Sequence, residues 1–212
     1  MHFFLRGNIK FKSHQIMTFL RISLFLFILS VQQVALAQVQ SKGIAPSALP
    51  AGLLYKGKPL QVLQFHDQTG DYVALTTETT TREDEAHIAA YMFGANGSKL
   101  WQLNDGIADC PLDRVAVFVP GSFKVTDLNK NGKAEVWVAY RIGCRGDVSP
   151  SELKIIMHEG TTKYAMRGVG KLKVGNALQP DGGTMTSNGF RKSAFNTHAE
   201  QLWKAYLVEV ME

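Results

Sequence analysis

The stretch from Phe123 to Arg141, FKVTDLNKNGKAEVWVAYR, decides how the chain is read. Its second half alternates Val136, Val138 and Tyr140 with Glu135, Trp137, Ala139 and Arg141. That period of two is a β-strand's, and it predicts one face turned to a core. Phe123 to Thr126 reads as a shorter strand on the other side of the segment Asp127 to Glu135. Within that segment side-chain oxygens recur at alternate positions, Asp127, Asn129 and Asn131, with Gly132 at the sixth place and Glu135 at the ninth.

Two readings of the segment stay open. With the Lys133 carbonyl at the seventh place, the oxygens of Asp127, Asn129, Asn131 and Glu135 form the donor set that a hard cation such as Ca²⁺ takes. Asn131-Gly132 is equally a favoured turn dipeptide, and Asp and Asn side chains cap turns without metal. An EF-hand is excluded, because Val138 stands where its bidentate Glu would be and a strand follows instead of a helix.

Working outward, short runs rich in Val, Leu, Tyr, Phe and Thr alternate with Gly, Asn and Asp punctuation. The expected strands are Leu60 to Phe65, Tyr72 to Thr79, His87 to Phe93, Lys99 to Leu103, Arg114 to Val119, Leu153 to His158 and Lys163 to Arg167. Residues 168 to 192 hold six glycines and read as a mobile loop. Beyond it Phe195, Ala199, Leu202, Trp203, Tyr206 and Val210 recur at helical spacing, and Thr197-x-x-Glu200 reads as a capping box. The expected fold is therefore mainly β, an antiparallel sheet or sandwich with one C-terminal α-helix.

The leader changes the charge balance. From Met17 an Arg, an apolar run from Ile22 to Val31 and the Ala35-Leu36-Ala37 triplet follow the pattern of a secretory signal peptide. Residues 1–37 are thus expected to be an N-terminal extension and signal peptide, residues 38–52 a flexible lead-in, and residues 53–212 a single β-rich domain. Gln32 and Gln33 break the apolar run short of the roughly 20 residues a membrane span needs, so no stable span is expected after cleavage. The net charge of +5 falls to +1, because four of the 23 basic residues and no acidic ones lie in residues 1–37. With no block of like charges left, nucleic acid is not an expected partner. The two cysteines, Cys110 and Cys144, are then expected to form a disulfide.

Several runs carry a resemblance: Asp109-Cys110-Pro111-Leu112-Asp113, Val125-Thr126-Asp127-Leu128, Ala134-Glu135-Val136-Trp137 and Cys144 to Pro150. Together they resemble a family of small exported bacterial envelope proteins filed under surface polysaccharide biosynthesis. The likeness extends through Lys154 to Arg167 and the Trp203 segment. The central loop is similar to the strand-loop-strand calcium loops of FG-GAP, integrin-propeller-like repeats. Asn replaces two of the acids of that pattern, which implies weak binding. The resemblance implies export to the periplasm or cell surface, and it carries no catalytic residues.

Other candidates complete the expectations. His66-Asp67 could orient a general base, and Glu78, Glu83, Asp84 and Glu85 could supply the acid pair of a glycoside hydrolase. Tyr91, Trp101, Trp137 and Tyr140 are either sugar platforms or core aromatics. Arg145-Gly146-Asp147 reads as a local ion pair or turn cap. The expected function is a non-catalytic envelope binding or assembly module linked to surface polysaccharide, with a surface glycan or envelope protein as partner. The alternative is a carbohydrate-active hydrolase of the periplasm or cell surface.

Overall fold

The computed structural model describes residues 39–80 and 82–211, and the signal-peptide expectation lies outside them. One antiparallel sheet runs in the order β1 (Gln40–Ile44), β2 (Lys58–Asp67), β3 (Gly70–Thr79), β4 (Ala86–Gly94) and β5 (Lys99–Ile107). A second sheet is built around β8 (Glu135–Arg145). On one side β8 pairs with β6 (Asp113–Phe118) and β7 (Lys124–Thr126); on the other it leads through β9 (Glu152–Glu159) and β10 (Thr162–Val169) to β13 (Met185–Asn188). The expected strands are all present, most of them extended by one to four residues.

The sheets pack face to face as a sandwich. Phe65, Ala74, Ile88, Ala90, Met92 and Leu103 of the first sheet meet Val136, Val138, Tyr140, Ile142 and Ile156 of the second. The alternation predicted for β8 thus places Val136, Val138 and Tyr140 in the inner core. The opposite face is buried as well. Trp137 and Ala139, with Leu153, Ile155, Met157 and Met166, pack under Phe190, Phe195, Ala199 and Trp203. The sequence of β8 allows this because its second face is also largely apolar.

The outer face of the first sheet has its own cover. Val62, Leu75, Ala89, Tyr91 and Phe93 lie beneath Ile44, Leu49, Leu53 and Tyr55. The segment expected to be a flexible lead-in therefore contains β1, paired with β2 from Gln40 opposite His66 to Ile44 opposite Val62, and a 3-10 turn at Pro46–Ala48. An edge strand held by backbone hydrogen bonds needs no apolar period, and Gln40–Ile44 shows none.

The C-terminal helix α1 spans Asn196–Tyr206 and buries Ala199 and Trp203. The capping box does not form. Phe195 is the N-cap residue, and Glu200 accepts a hydrogen bond from the Asn196 amide at 2.9 Å. Nor does Val210 belong to the helix. It sits in β14 (Val208–Met211), which pairs in parallel with β11 (Lys171–Val174), itself joined to β12 (Ala177–Leu178). This small sheet and β13 organise the glycine-rich stretch expected to be a mobile loop. Gly168 shows why the glycines are there: a Cβ at that position would collide with the Thr184 carbonyl across the β10–β13 contact.

Cys110 and Cys144 are bonded. The bridge fixes the chain leaving β5 to the far end of β8, beside the hydrogen bond from the Cys110 N–H to the Asp84 carbonyl. Among the described residues no helix is long and apolar enough to cross a membrane.

Candidate functional site

The loop from Asp127 to Glu135 is knitted by its own side chains. Asp127 Oδ2 accepts from the Gly132 N–H at 3.0 Å, Asn129 Oδ1 from Asn131 at 3.1 Å and Asn131 Oδ1 from Lys133 at 2.8 Å. These successive Asx turns coil the backbone around the side-chain oxygens, helped by left-handed conformations at Lys130 and Gly132. Asp127 Oδ1 is buried with no hydrogen-bond partner among the described residues. Asn129 and Asn131 each spend one lone pair of their amide oxygen on the backbone and keep a second. Those three side chains fit a calcium loop.

Glu135 is placed differently from what the pattern suggested. Its carboxylate is fully buried and accepts from the Thr126 hydroxyl at 2.6 Å and from the Leu128 N–H at 2.8 and 3.0 Å. Burial raises its pKa above the ordinary carboxylate value, against the hydrogen bonds that lower it. Thr126 also accepts from the Trp137 indole at 2.8 Å. Glu135 thus braces the loop from behind.

Two partners lie far away in sequence. Glu159, in the β9–β10 hairpin, accepts from the side-chain amides of Asn129 at 2.9 Å and Asn131 at 2.7 Å. Asp67, in the β2–β3 hairpin of the opposite sheet, accepts from the Ala134 N–H at 2.9 Å, and the Gln68 N–H donates to the Gly132 carbonyl at 2.9 Å. The loop is therefore one place where the two sheets are tied together. Replacing Asp67 by Asn turns an amide NH2 group toward one of its N–H donors and should cost about 2 kcal/mol. Chemical denaturation measures this, and an unchanged midpoint would show that the tie contributes nothing.

The catalytic candidates are dispersed. His66 pairs with Asp71 at 2.9 Å on the surface while Asp67 is buried in the tie just described, so Asp67 is not the group that orients the His66 imidazole. Glu78 pairs with Lys58, and Asp84 and Glu85 pair with Arg82. None of the four acids suggested for glycoside hydrolysis lines the grooves of about 810, 600 and 310 Å³ on the described surface. Tyr91, Trp101, Trp137 and Tyr140 are at most 8 % exposed and serve the cores, not a sugar platform. Arg145 turns inward to Glu209 at 3.3 Å, whereas Asp147 accepts from the Ser149 N–H at 3.0 Å as a turn cap.

A groove of about 810 Å³ opens on the outer face of the first sheet. Strand register explains its lining. Gln40, His66 and Asp71 stand abreast across β1, β2 and β3, and Lys42, Gln64 and Val73 form the next row. Their neighbours Leu63, Phe65 and Ala74 point into the inner core. Pro50 to Leu53 form one wall, and Asn96 in the β4–β5 turn adds an amide. The result is an open cleft of amides and hydroxyls with a single carboxylate. No family model, curated protein or solved structure matches the chain.

Proposed function

We propose that this protein is an exported, non-catalytic binding or assembly module of the cell envelope, linked to surface polysaccharide, and that a glycan segment is held in the groove formed by β1, β2 and β3. The observation that carries this reading is the lining of the groove. Gln40 and Gln64 offer paired amide donors and acceptors, and Asn96, whose oxygen is taken by Ser98, adds amide donors, the hydrogen-bonding chemistry that sugar hydroxyls need. Lys42, His66 and Asp71 leave it nearly neutral. One carboxylate is too few for the two-acid mechanism of most glycosidases, which favours binding over the alternative of a carbohydrate-active hydrolase. The disulfide and the absence of a membrane-crossing helix among the described residues are compatible with export.

A glycan array tests the reading. The full chain should bind a subset of surface glycans, and Gln64→Ala should weaken binding by about tenfold through loss of hydrogen bonds. Depolymerisation of a polysaccharide without array signal would establish the hydrolase instead.

The proposal includes a weak structural calcium site. Asp127, Asn129, Asn131 and the Lys133 carbonyl would hold the ion, with Glu135 maintaining the shape of the loop. Calcium there would stiffen the turn that ties the sheets. Because Asp127 brings the only formal charge outside the bracing carboxylate, the affinity belongs near the 10⁻⁴ to 10⁻³ M of extracellular modules, roughly. Melts in CaCl₂ and in EGTA decide the matter. Millimolar Ca²⁺ should raise the melting temperature by about 2 to 4 °C, following the mass-action relation, and Asp127→Ala should abolish the rise. An unchanged melt at millimolar Ca²⁺ removes the calcium site from the proposal.

A further inference from the structure

We infer that the inner face of β9, β10 and β13 holds an oxyanion site centred on Arg167, separate from the groove on the other sheet. Strand register sets Tyr140, Lys154, Arg167 and Thr186 side by side across β8, β9, β10 and β13. The first sheet covers the Tyr140 end of this row but not the Arg167 end, where a pocket of about 310 Å³ opens beside Thr184 and Thr186.

The charges along the row are unevenly matched. Lys154 takes both nearby carboxylates, Asp105 at 2.8 Å and Glu152 at 3.1 Å, and Asp105 also accepts from the Tyr140 hydroxyl at 2.9 Å. Arg167, half-buried, has no ion-pair or hydrogen-bond partner for its guanidinium among the described residues. Lys163 lies four residues along the same strand on the same face. Its pKa is lowered, first by burial and then by repulsion from Arg167, while Asp105 acts in the opposite direction. A half-buried guanidinium facing a cleft with two threonines suits a planar oxyanion, which it can grip through two parallel hydrogen bonds.

The pocket volume sits at the small end of ligand sites. It fits one charged group on a small polar body, such as the carboxylate of a sugar acid or a phosphate. Glu152 rims the pocket and opposes any anion that enters.

The test is a heteronuclear NMR titration of the full chain at low ionic strength, with sodium glucuronate, inorganic phosphate and neutral glucose as separate probes. Glucuronate or phosphate should shift the Arg167, Thr184 and Thr186 signals, and glucose should not. Which anion acts at lower concentration identifies the source. Arg167→Gln should weaken binding about tenfold or more, and Glu152→Gln should strengthen it about threefold, as expected for one bidentate charge contact and one screened repulsion. The second variant gains affinity, so misfolding cannot imitate it. Shifts elsewhere, equal affinity in wild type and Arg167→Gln, or no response to either anion overturns the site.

Discussion

Replacing Cys110 and Cys144 together by Ala should lower the stability of the folded domain by about 3 to 4 kcal/mol, the loss expected when a loop of roughly 35 residues is freed. The two residues are 34 apart, and the chain between them contains β6, β7, the Asp127–Glu135 loop and most of β8. In the native state β6 already pairs with β8, with Arg114 opposite Cys144, so the bridge adds little that the sheet lacks locally. Its main effect falls on the unfolded chain, which loses the freedom to separate those ends. The denaturation midpoint should therefore drop, and wild type measured under reducing conditions should move to the same midpoint as the double variant. A double variant within about 1 kcal/mol of the oxidised wild type would mean that the loop is already restricted when unfolded.

The strands were legible because turn residues separate them and because β2 to β10 carry strong apolar or alternating runs. What could not be read was which faces were covered. Val136, Val138 and Tyr140 announced a buried face, yet Trp137 and Ala139 are as deeply buried, since α1 and Phe190 close over them. Nothing local in β8 records that a helix some 60 residues later will lie there. β1 was invisible for the opposite reason. Its backbone pairs with β2 at an edge, and four of its five residues remain exposed.

The central loop divides in the same way. Its Asx turns follow from the order of Asp, Asn and Gly, so their positions were visible in the sequence. The anchoring by Asp67 and Glu159 was not, because these partners lie 67 and 30 residues from the atoms they bind. Glu135 illustrates the limit of spacing arguments. The ninth position of the pattern was occupied by the expected chemistry, but Leu128 and Thr126 claim its oxygens. The groove on the first sheet had no sequence signature, since amides and hydroxyls become a site only when strand register sets them abreast.

Acidification should destabilise the fold between pH 6.5 and about 4 through His158, and His158→Phe should remove that dependence. The imidazole is stacked on Trp101 with ring centroids 4.3 Å apart, in the core between the sheets. Neither ring nitrogen has a hydrogen-bond partner among the described residues. Burial, and then the nearby Lys163 charge, lowers its pKa from 6.5 to about 4. Between those values the unfolded chain binds the proton more readily than the folded one, so stability falls as pH falls. The full excursion amounts to about 3 kcal/mol. Two other groups titrate with altered pKa values nearby in pH. His198 is lowered and acts in the same direction, while Glu135 is raised and gains stability from protonation on acidification. Both are common to wild type and variant and cancel in the difference. Phe preserves the stacking surface and leaves no buried nitrogen without a partner, so the variant should be no less stable at pH 7 and should be favoured progressively toward pH 4. Parallel stability curves for the two proteins across that window would show that His158 keeps an ordinary pKa, and with it that water reaches the space between the sheets.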